Sequence, residues 1–437
     1  MPHDKPRLPF TPRHTLSRAL PVTASVMLVL LSTVAPFGAL ASTQTFPRWC
    51  LACGGLWMTD VISNVVLFLP LGLTLALRGT RLPAVFLLSL ALTVVVEVMQ
   101  SLGLPPGRSA ALADILANTG GGLLGWTLVR AHPWLFPSSW RVAVRLCWAW
   151  TIGATSIFLL TSAALGPRAQ YRDESMSYTQ SPFRHTPGRP WYGGMIDSAS
   201  VNGYRTRHIG TGPVIVMASG EPGWIYATVS VRGREPEYFQ VPMLFVHAPG
   251  DSSPVLMLAQ NGDDAQLVVT RRAWDWGLNL PALTLPGVFR RRTTTDPRAL
   301  RITAEASTRS LRIAAEGDHE GARWVARPLV PTLGWTMIQS VITIDSPVAF
   351  VARYGWLTAL MLPIGWWGAQ AGARRWLVMV IAATWLAAGA YAAVRYLGVS
   401  PVPASDWTAM AALAALGAVA SARMSGRTRT LAAAELA

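Results

Sequence analysis

Charge is scarce in this chain. Of its 437 residues only 14% are Asp, Glu, Lys or Arg, while 51% are hydrophobic; an ordinary soluble domain carries about a quarter charged residues. That balance excludes a typical soluble globule and points to an integral membrane protein. Cysteine is equally sparse, with three in total, which excludes a disulfide-framed scaffold. Cys50 and Cys53 form a lone CxxC in WCLACG, with no second CxxC and no cluster among the seven histidines. A local disulfide or a pair of packed thiols accounts for them better than zinc or redox chemistry. Also missing are a Ser/His/Asp or Cys/His arrangement and a glycine loop of the kind that cradles phosphate. No cofactor and no metal are therefore expected.

What the chain does have is long apolar runs. Eight spanning segments are predicted, at 18–42, 59–78, 82–103, 112–130, 142–166, 352–369, 375–397 and 405–422. Each approaches the ~20 residues a helix needs to cross a bilayer. The expected organisation is a basic N-terminus (1–17), a five-span membrane domain (18–166), a polar domain (167–350), a three-span unit (351–422) and a tail (423–437). With the N-terminus inside, the inner flanks receive Lys5, Arg7, Arg13, Arg18, Arg78, Arg81, Arg130, Arg141, Arg145, Arg374, Arg375, Arg423, Arg427 and Arg429. The short outer loops receive only Arg48, Arg108 and Arg395. An excess of Lys and Arg on short cytoplasmic loops sets orientation, so both termini are expected in the cytoplasm and 167–350 outside. The net charge of +15 then reflects flanking anchors, and nucleic acid is not an expected partner. The first span also has a basic start and Ala39-Leu40-Ala41 near its end, which fits a cleaved signal peptide; its length favours retention.

Residues 167–350 read as all-β. Short alternating runs recur from Pro213 to Asp345: VIVMA, WIYATVSV, VPMLFVH, PVLMLAQ, AQLVVT, ALRITAE, SLRIAAE and SVITID. PGDSS, NGDD, TDPR and EGDHEG supply the turns between them. Many short strands with tight turns predict two packed antiparallel sheets, a jelly-roll-like β-sandwich. The strand and turn order resembles the laminin-G/concanavalin-like family, which implies a contact with an envelope glycan. Asp263 and Asp264 resemble metal ligands, but a hairpin turn explains them without an ion. Trp191, Trp224, Trp274 and Trp276 offer faces for sugar rings, although sandwich cores commonly use Trp as well.

The polar residues inside the apolar runs are the sharpest signal. DVISNVVLFLPLG (Asp60–Gly72) and DILANTGGGLLG (Asp114–Gly125) each open with an Asp and place an Asn four residues on. SLALTVVVEVMQ between them carries Glu97 and Gln100. Each pair shares one helix face, and the expected orientation puts all three pairs at one depth, in the outer half of the membrane. Arg108 lies in the loop at that surface. Intramembrane charges are costly and generally face protein or water. Asp60, Asn64, Glu97, Gln100, Arg108, Asp114 and Asn118 are therefore candidate ligand-binding residues of one outward-facing pocket. Gly120, Gly121, Gly122 and Gly125 leave one side of their helix bare for close packing, and Pro70 with Gly72 marks an expected break or kink.

At these residues the chain resembles the VanZ-like family. The resemblance rests on D60-x3-N64 with LFLPLG, Ser89 to Gln100, Arg108, and D114-x3-N118-TGG with Gly125, and covers about 20–130. A VanZ-like unit followed by a concanavalin-like outer domain and further spans is similar to a known arrangement, and MLPIGWWG (Met361–Gly368) is similar to the span that follows it. The family takes its name from a protein linked to low-level teicoplanin resistance. The resemblance implies a multi-pass protein of the bacterial inner membrane and transfers no catalytic residue. It leaves four readings of the cluster. It binds a lipid or glycan headgroup without catalysis; Glu97 serves as acid or base of an enzyme on a lipid-linked glycan; it belongs to a transporter; or it only bonds helices together.

Overall fold

The computed structural model describes residues 13–34, 49–52, 56–104, 109–131, 139–168, 176–180, 192–206, 214–216, 224–234, 240–247, 254–290, 292–293, 295–317, 320–338 and 347–436. Arg108, Cys53, Trp191 and the SVITID run at 340–345 lie outside them. The chain divides into two compact units, Met1–Pro137 and Ser138–Ala437.

Among the described residues the first unit holds four helices: α1 (Arg13–Val34), α2 (Trp57–Leu77), α3 (Leu82–Ser101) and α4 (Leu112–Arg130). Two short strands, β1 (Trp49–Cys50) and β2 (Ala110–Ala111), pair in parallel. They tie the segment before α2 to the segment before α4, and Ala113 donates its N–H to the Leu51 carbonyl at 2.9 Å. Cys50 is disulfide-bonded.

Glycine sets the packing of α2 against α4. A Cβ added at Gly72 would stand 1.9 Å from the Gly122 carbonyl oxygen. One at Gly121 would stand 2.3 Å from the Val65 oxygen, and one at Gly125 2.3 Å from the Leu69 oxygen. These backbones touch because no side chain intervenes, as small-residue helix interfaces in membranes require. Gly120, expected on the same face, points into open space: it lies one residue, about 100° of turn, from Gly121. The helix also runs unbroken through Pro70. Thr74 Oγ donates to the Pro70 carbonyl at 2.9 Å, and Gly72 serves the contact with α4 rather than a break.

The second unit begins with α5 (Trp140–Leu165), whose Ser139 side chain caps its N-terminus by accepting from Val142 N–H at 3.4 Å. The fifth expected span thus falls in the unit containing the β-rich region and the C-terminal helices: α6 (Pro347–Ala369), α7 (Arg375–Leu397) and α8 (Ala404–Leu436). Trp150 Nε1 donates to the Leu360 carbonyl at 3.0 Å, and Trp148 meets Trp385 edge to face with centroids 6.3 Å apart. The α6–α8 contact repeats the glycine device, since a Cβ at Gly365 would stand 1.8 Å from the Ala414 oxygen. The last helix continues through the expected tail to Leu436.

Between α5 and α6 lie twelve described strands: β3 (Met176–Gln180), β4 (Met195–Val201), β5 (Tyr204–Thr206), β6 (Val214–Val216), β7 (Ile225–Arg232), β8 (Val241–His247), β9 (Pro254–Asn261), β10 (Asp264–Val269), β11 (Leu283–Leu285), β12 (Leu300–Ala306), β13 (Ser310–Gly317) and β14 (Glu320–Pro328). They form two six-stranded antiparallel sheets, ordered β11-β10-β9-β8-β3-β6 and β14-β13-β12-β7-β4-β5. One hydrophobic cluster draws on both sheets, with Val241, Leu244, Leu256 and Leu258 from the first and Val229, Ile302 and Ile313 from the second. Alternation explains the inward set: along β12 buried residues alternate with more exposed ones. NGDD is a two-residue hairpin turn in which Asn261 pairs with Asp264. Gly262 sits at φ 56°, the positive φ that the first position of a type II′ turn requires.

Among the described residues, five helices are long and apolar enough to cross a membrane: Trp57–Leu77, Leu82–Ser101, Trp140–Leu165, Gly372–Leu397 and Ala404–Met424. Helices α1, α4 and α6 overlap three further expected spans but fall outside that set. Helix α4 carries Asp114, Asn118 and four glycines, and α6 Arg353, two prolines and three glycines.

Candidate functional site

The α3–α4 interface of the first unit holds a ladder of polar side chains. On α3, Ser89, Thr93 and Glu97 recur every fourth residue, so they stack on one face, and all three are buried. Opposite them α4 presents Gly122, Asn118 and the segment leading into its first turn. The lowest contact sets Ser89 Oγ where a Cβ on Gly122 would lie only 2.2 Å away. In the middle, Asn118 Nδ2 donates to Thr93 Oγ1 at 2.8 Å. At the top, Ala111 donates its N–H to Glu97 Oε2 at 2.8 Å. The buried carboxylate thereby anchors the strand that enters α4.

Two atoms of the ladder are unsatisfied. Asn118 Oδ1 and Ser89 Oγ are buried without a hydrogen-bond partner among the described residues, and their residues are 1% and 0% exposed. An unmet buried polar group costs about 1–3 kcal/mol, and more where no water can reach it.

The remaining expected residues surround this ladder unevenly. Gln100 is buried, one turn beyond Glu97. Asn64 and Asp114 are half-buried, and Asp60 is exposed. Helices α2 and α4 run parallel: Gly121 lies against Val65 and Gly125 against Leu69, the same offset both times. The two Asp-x3-Asn motifs differ from that offset by two residues, about 3 Å of helix rise. Both motifs therefore lie at nearly one level at the same end of the pair. What separates them is burial, with Asn118 turned into the α3 interface and Asn64 only half-covered.

Ser89 and Thr93 were missed when the sequence was read for charge. Their signal was available in the four-residue spacing back from Glu97, but isolated hydroxyls in apolar helices usually bond their own i−4 carbonyl. In the second unit Trp224 stacks on Tyr226 with centroids 6.3 Å apart, while Trp276 packs against the sheet core and Trp274 is exposed. Asp263 meets Arg234 at 2.9 Å, and Asp264 Oδ1 accepts from Gly287 N–H at 2.7 Å.

Residues 8–136 match the family model described as VanZ/LLP1. The match ends beside the boundary of the first unit and includes the whole ladder. No curated protein and no solved structure matches the chain.

Proposed function

We propose that the first unit is a membrane-embedded binding module that takes a hydroxyl-bearing headgroup of an envelope lipid or glycan at the outer leaflet, without catalysis. The observation that carries this reading is the Asn118 carbonyl oxygen, buried and unpartnered beside a satisfied amide nitrogen. Helix bonding alone accounts for Asn118 Nδ2 on Thr93 and leaves Oδ1 unexplained. A ligand hydroxyl donating to Oδ1, with a second group meeting Ser89, removes both penalties. Arg108 is assigned the anionic part of such a headgroup, since guanidinium binds phosphate or carboxylate through two parallel bonds.

The topology proposed with it has eight spans, both termini inside and the β-rich region outside as a sandwich of its two sheets, placed to contact the same envelope material. The charge asymmetry of the short loops supports that orientation. In the VanZ-like setting the module bears on glycopeptide tolerance. Separate Glu97→Gln, Asp114→Asn and Arg108→Ala variants test the reading. Normal membrane levels with lost tolerance support ligand binding, whereas disappearance of all three from the membrane returns the cluster to helix bonding.

A further inference from the structure

The end of the second unit's helices remote from the β-rich region carries a different feature. Leu165, at the far end of α5, joins the sheet core, and Gly166 beyond it accepts from Arg272 N–H at 3.0 Å. At the near end, Trp140 opens α5 and is bracketed by two cations. The Arg141 guanidinium carbon lies 5.6 Å from its ring centroid. That of Arg374, from the turn between α6 and α7, lies 5.3 Å away. Arg375 lies 5.7 Å from the ring of Trp376. Gln370 Nε2 bonds Ser421 Oγ at 3.1 Å, which brings α8 and the segment containing Arg423 to the same end.

The described segments that form this end (139–148, 367–376 and 421–424) contain five arginines and no Asp or Glu. Two guanidiniums share one ring, and these segments set no carboxylate beside them. An anion beside them would supply the negative charge that these segments lack. The neighbourhood is also oily: Val142, Trp376 and Leu377 are exposed large apolar residues at the same helix starts. A phosphate with acyl chains beside it matches both features, and a free anion matches only the first.

We infer that Arg141 and Arg374, which share the Trp140 ring, together with Arg375 beside Trp376, bind the phosphate of an anionic membrane lipid, at the membrane face opposite the β-rich region. The guanidinium forks suit phosphate bidentately, and juxtamembrane Arg clusters attract anionic leaflets.

The test uses the full chain reconstituted in phosphatidylcholine bilayers with and without phosphatidylglycerol, followed by native mass spectrometry of retained lipid. Wild type is expected to retain phosphatidylglycerol over phosphatidylcholine. Arg374→Gln is expected to weaken that retention about tenfold, the loss of one charge-assisted contact. Arg374→Lys keeps the charge but not the fork and should fall between. Arg81→Gln, in the first unit, should match wild type. Equal retention of the two lipids by wild type, or undiminished retention by Arg374→Gln, overturns the assignment. So does displacement of the lipid by inorganic phosphate at matched concentration, which would make this a free-anion site. Arg374 is exposed, so folding should survive its replacement; if it does not, Arg141→Gln is read by the same outcomes.

Discussion

Two carboxylates, one in each unit, are equally buried: Glu97 and Asp406 are each 1% exposed. Asp406 has both oxygens engaged within its own unit. Thr332 Oγ1 donates to Oδ2 at 2.6 Å, and Arg353 pairs with Oδ1. That set joins the segment leaving the sheets to the starts of α6 and α8, which is a structural role. Glu97 instead accepts from a backbone N–H and heads a ladder in which a neighbouring amide oxygen and a hydroxyl remain unmet. A closed polar set holds helices together, while an open one leaves bonding capacity for something that is not part of the chain. The same sequence signal, an acid in an apolar run, thus occurs in two settings, separated by whether the atoms around it are satisfied.

The largest expected effect lies on the closed set. Asp406→Ala strips Thr332 and a 35% exposed Arg353 side chain of the carboxylate both bond, and losing two bonds to a charged group, at about 1.5–3 kcal/mol each, costs on the order of 3 kcal/mol. Thermal unfolding of the purified chain should show the second unit melting far earlier, and an unchanged melt would remove the structural reading of this pair. Next comes the close approach in the first unit. Gly72→Ala forces a methyl into the Gly122 carbonyl and should cost about 1–3 kcal/mol, whereas Gly120→Ala, facing open space, should stay within about 0.5 kcal/mol. Equal melting shifts for the two would contradict the packing described for α2 and α4.

The smallest effect uses a carboxylate in the β-rich region as a reference. Arg298 bonds Asp296 through its side chain and backbone N–H, and the side-chain bond chiefly holds the Asp296 pKa down, at about 2 against an ordinary 3.8. A depressed acid contributes stability above its unfolded pKa and loses it as pH falls through the folded one. Acid titration should therefore show a loss between about pH 4 and pH 2 that Asp296→Asn removes. A variant curve parallel to wild type in that window would refute the pairing.

Much of the fold was legible because bilayer and sheet impose simple periods. Described helices overlap all eight expected spans, five of them long and apolar enough to cross a membrane, and seven of the eight expected strand runs match described strands. Five of the twelve described strands were missed: β3 (MSYTQ) and β4 (MIDSASV) lie before Pro213, where the expected runs begin, β5 and β11 are three residues each, and β14 (EGARWVARP) carries charge that masks its alternation. In the site, spacing showed which residues share a helix face but not which face is buried. Asp60 and Asp114 begin matching motifs, yet only Asn118 of the two asparagines is enclosed. Gly120 looked equivalent to Gly121 for the same reason, since one residue of helix phase decides between contact and open space.

The central claim is that the open ladder binds a ligand, and Asn118→Leu tests it most directly. The substitution removes the unmet oxygen and replaces it with an apolar side chain of similar size. Mass spectrometry of material co-purifying with the full chain should find a polar lipid or glycan on wild type and none on Asn118→Leu, while stability falls by no more than the lost Asn118–Thr93 bond, about 1 kcal/mol. A wild type that carries no such species, or a variant that keeps it while melting markedly lower, would contradict the account and make Asn118 a structural bond between α3 and α4.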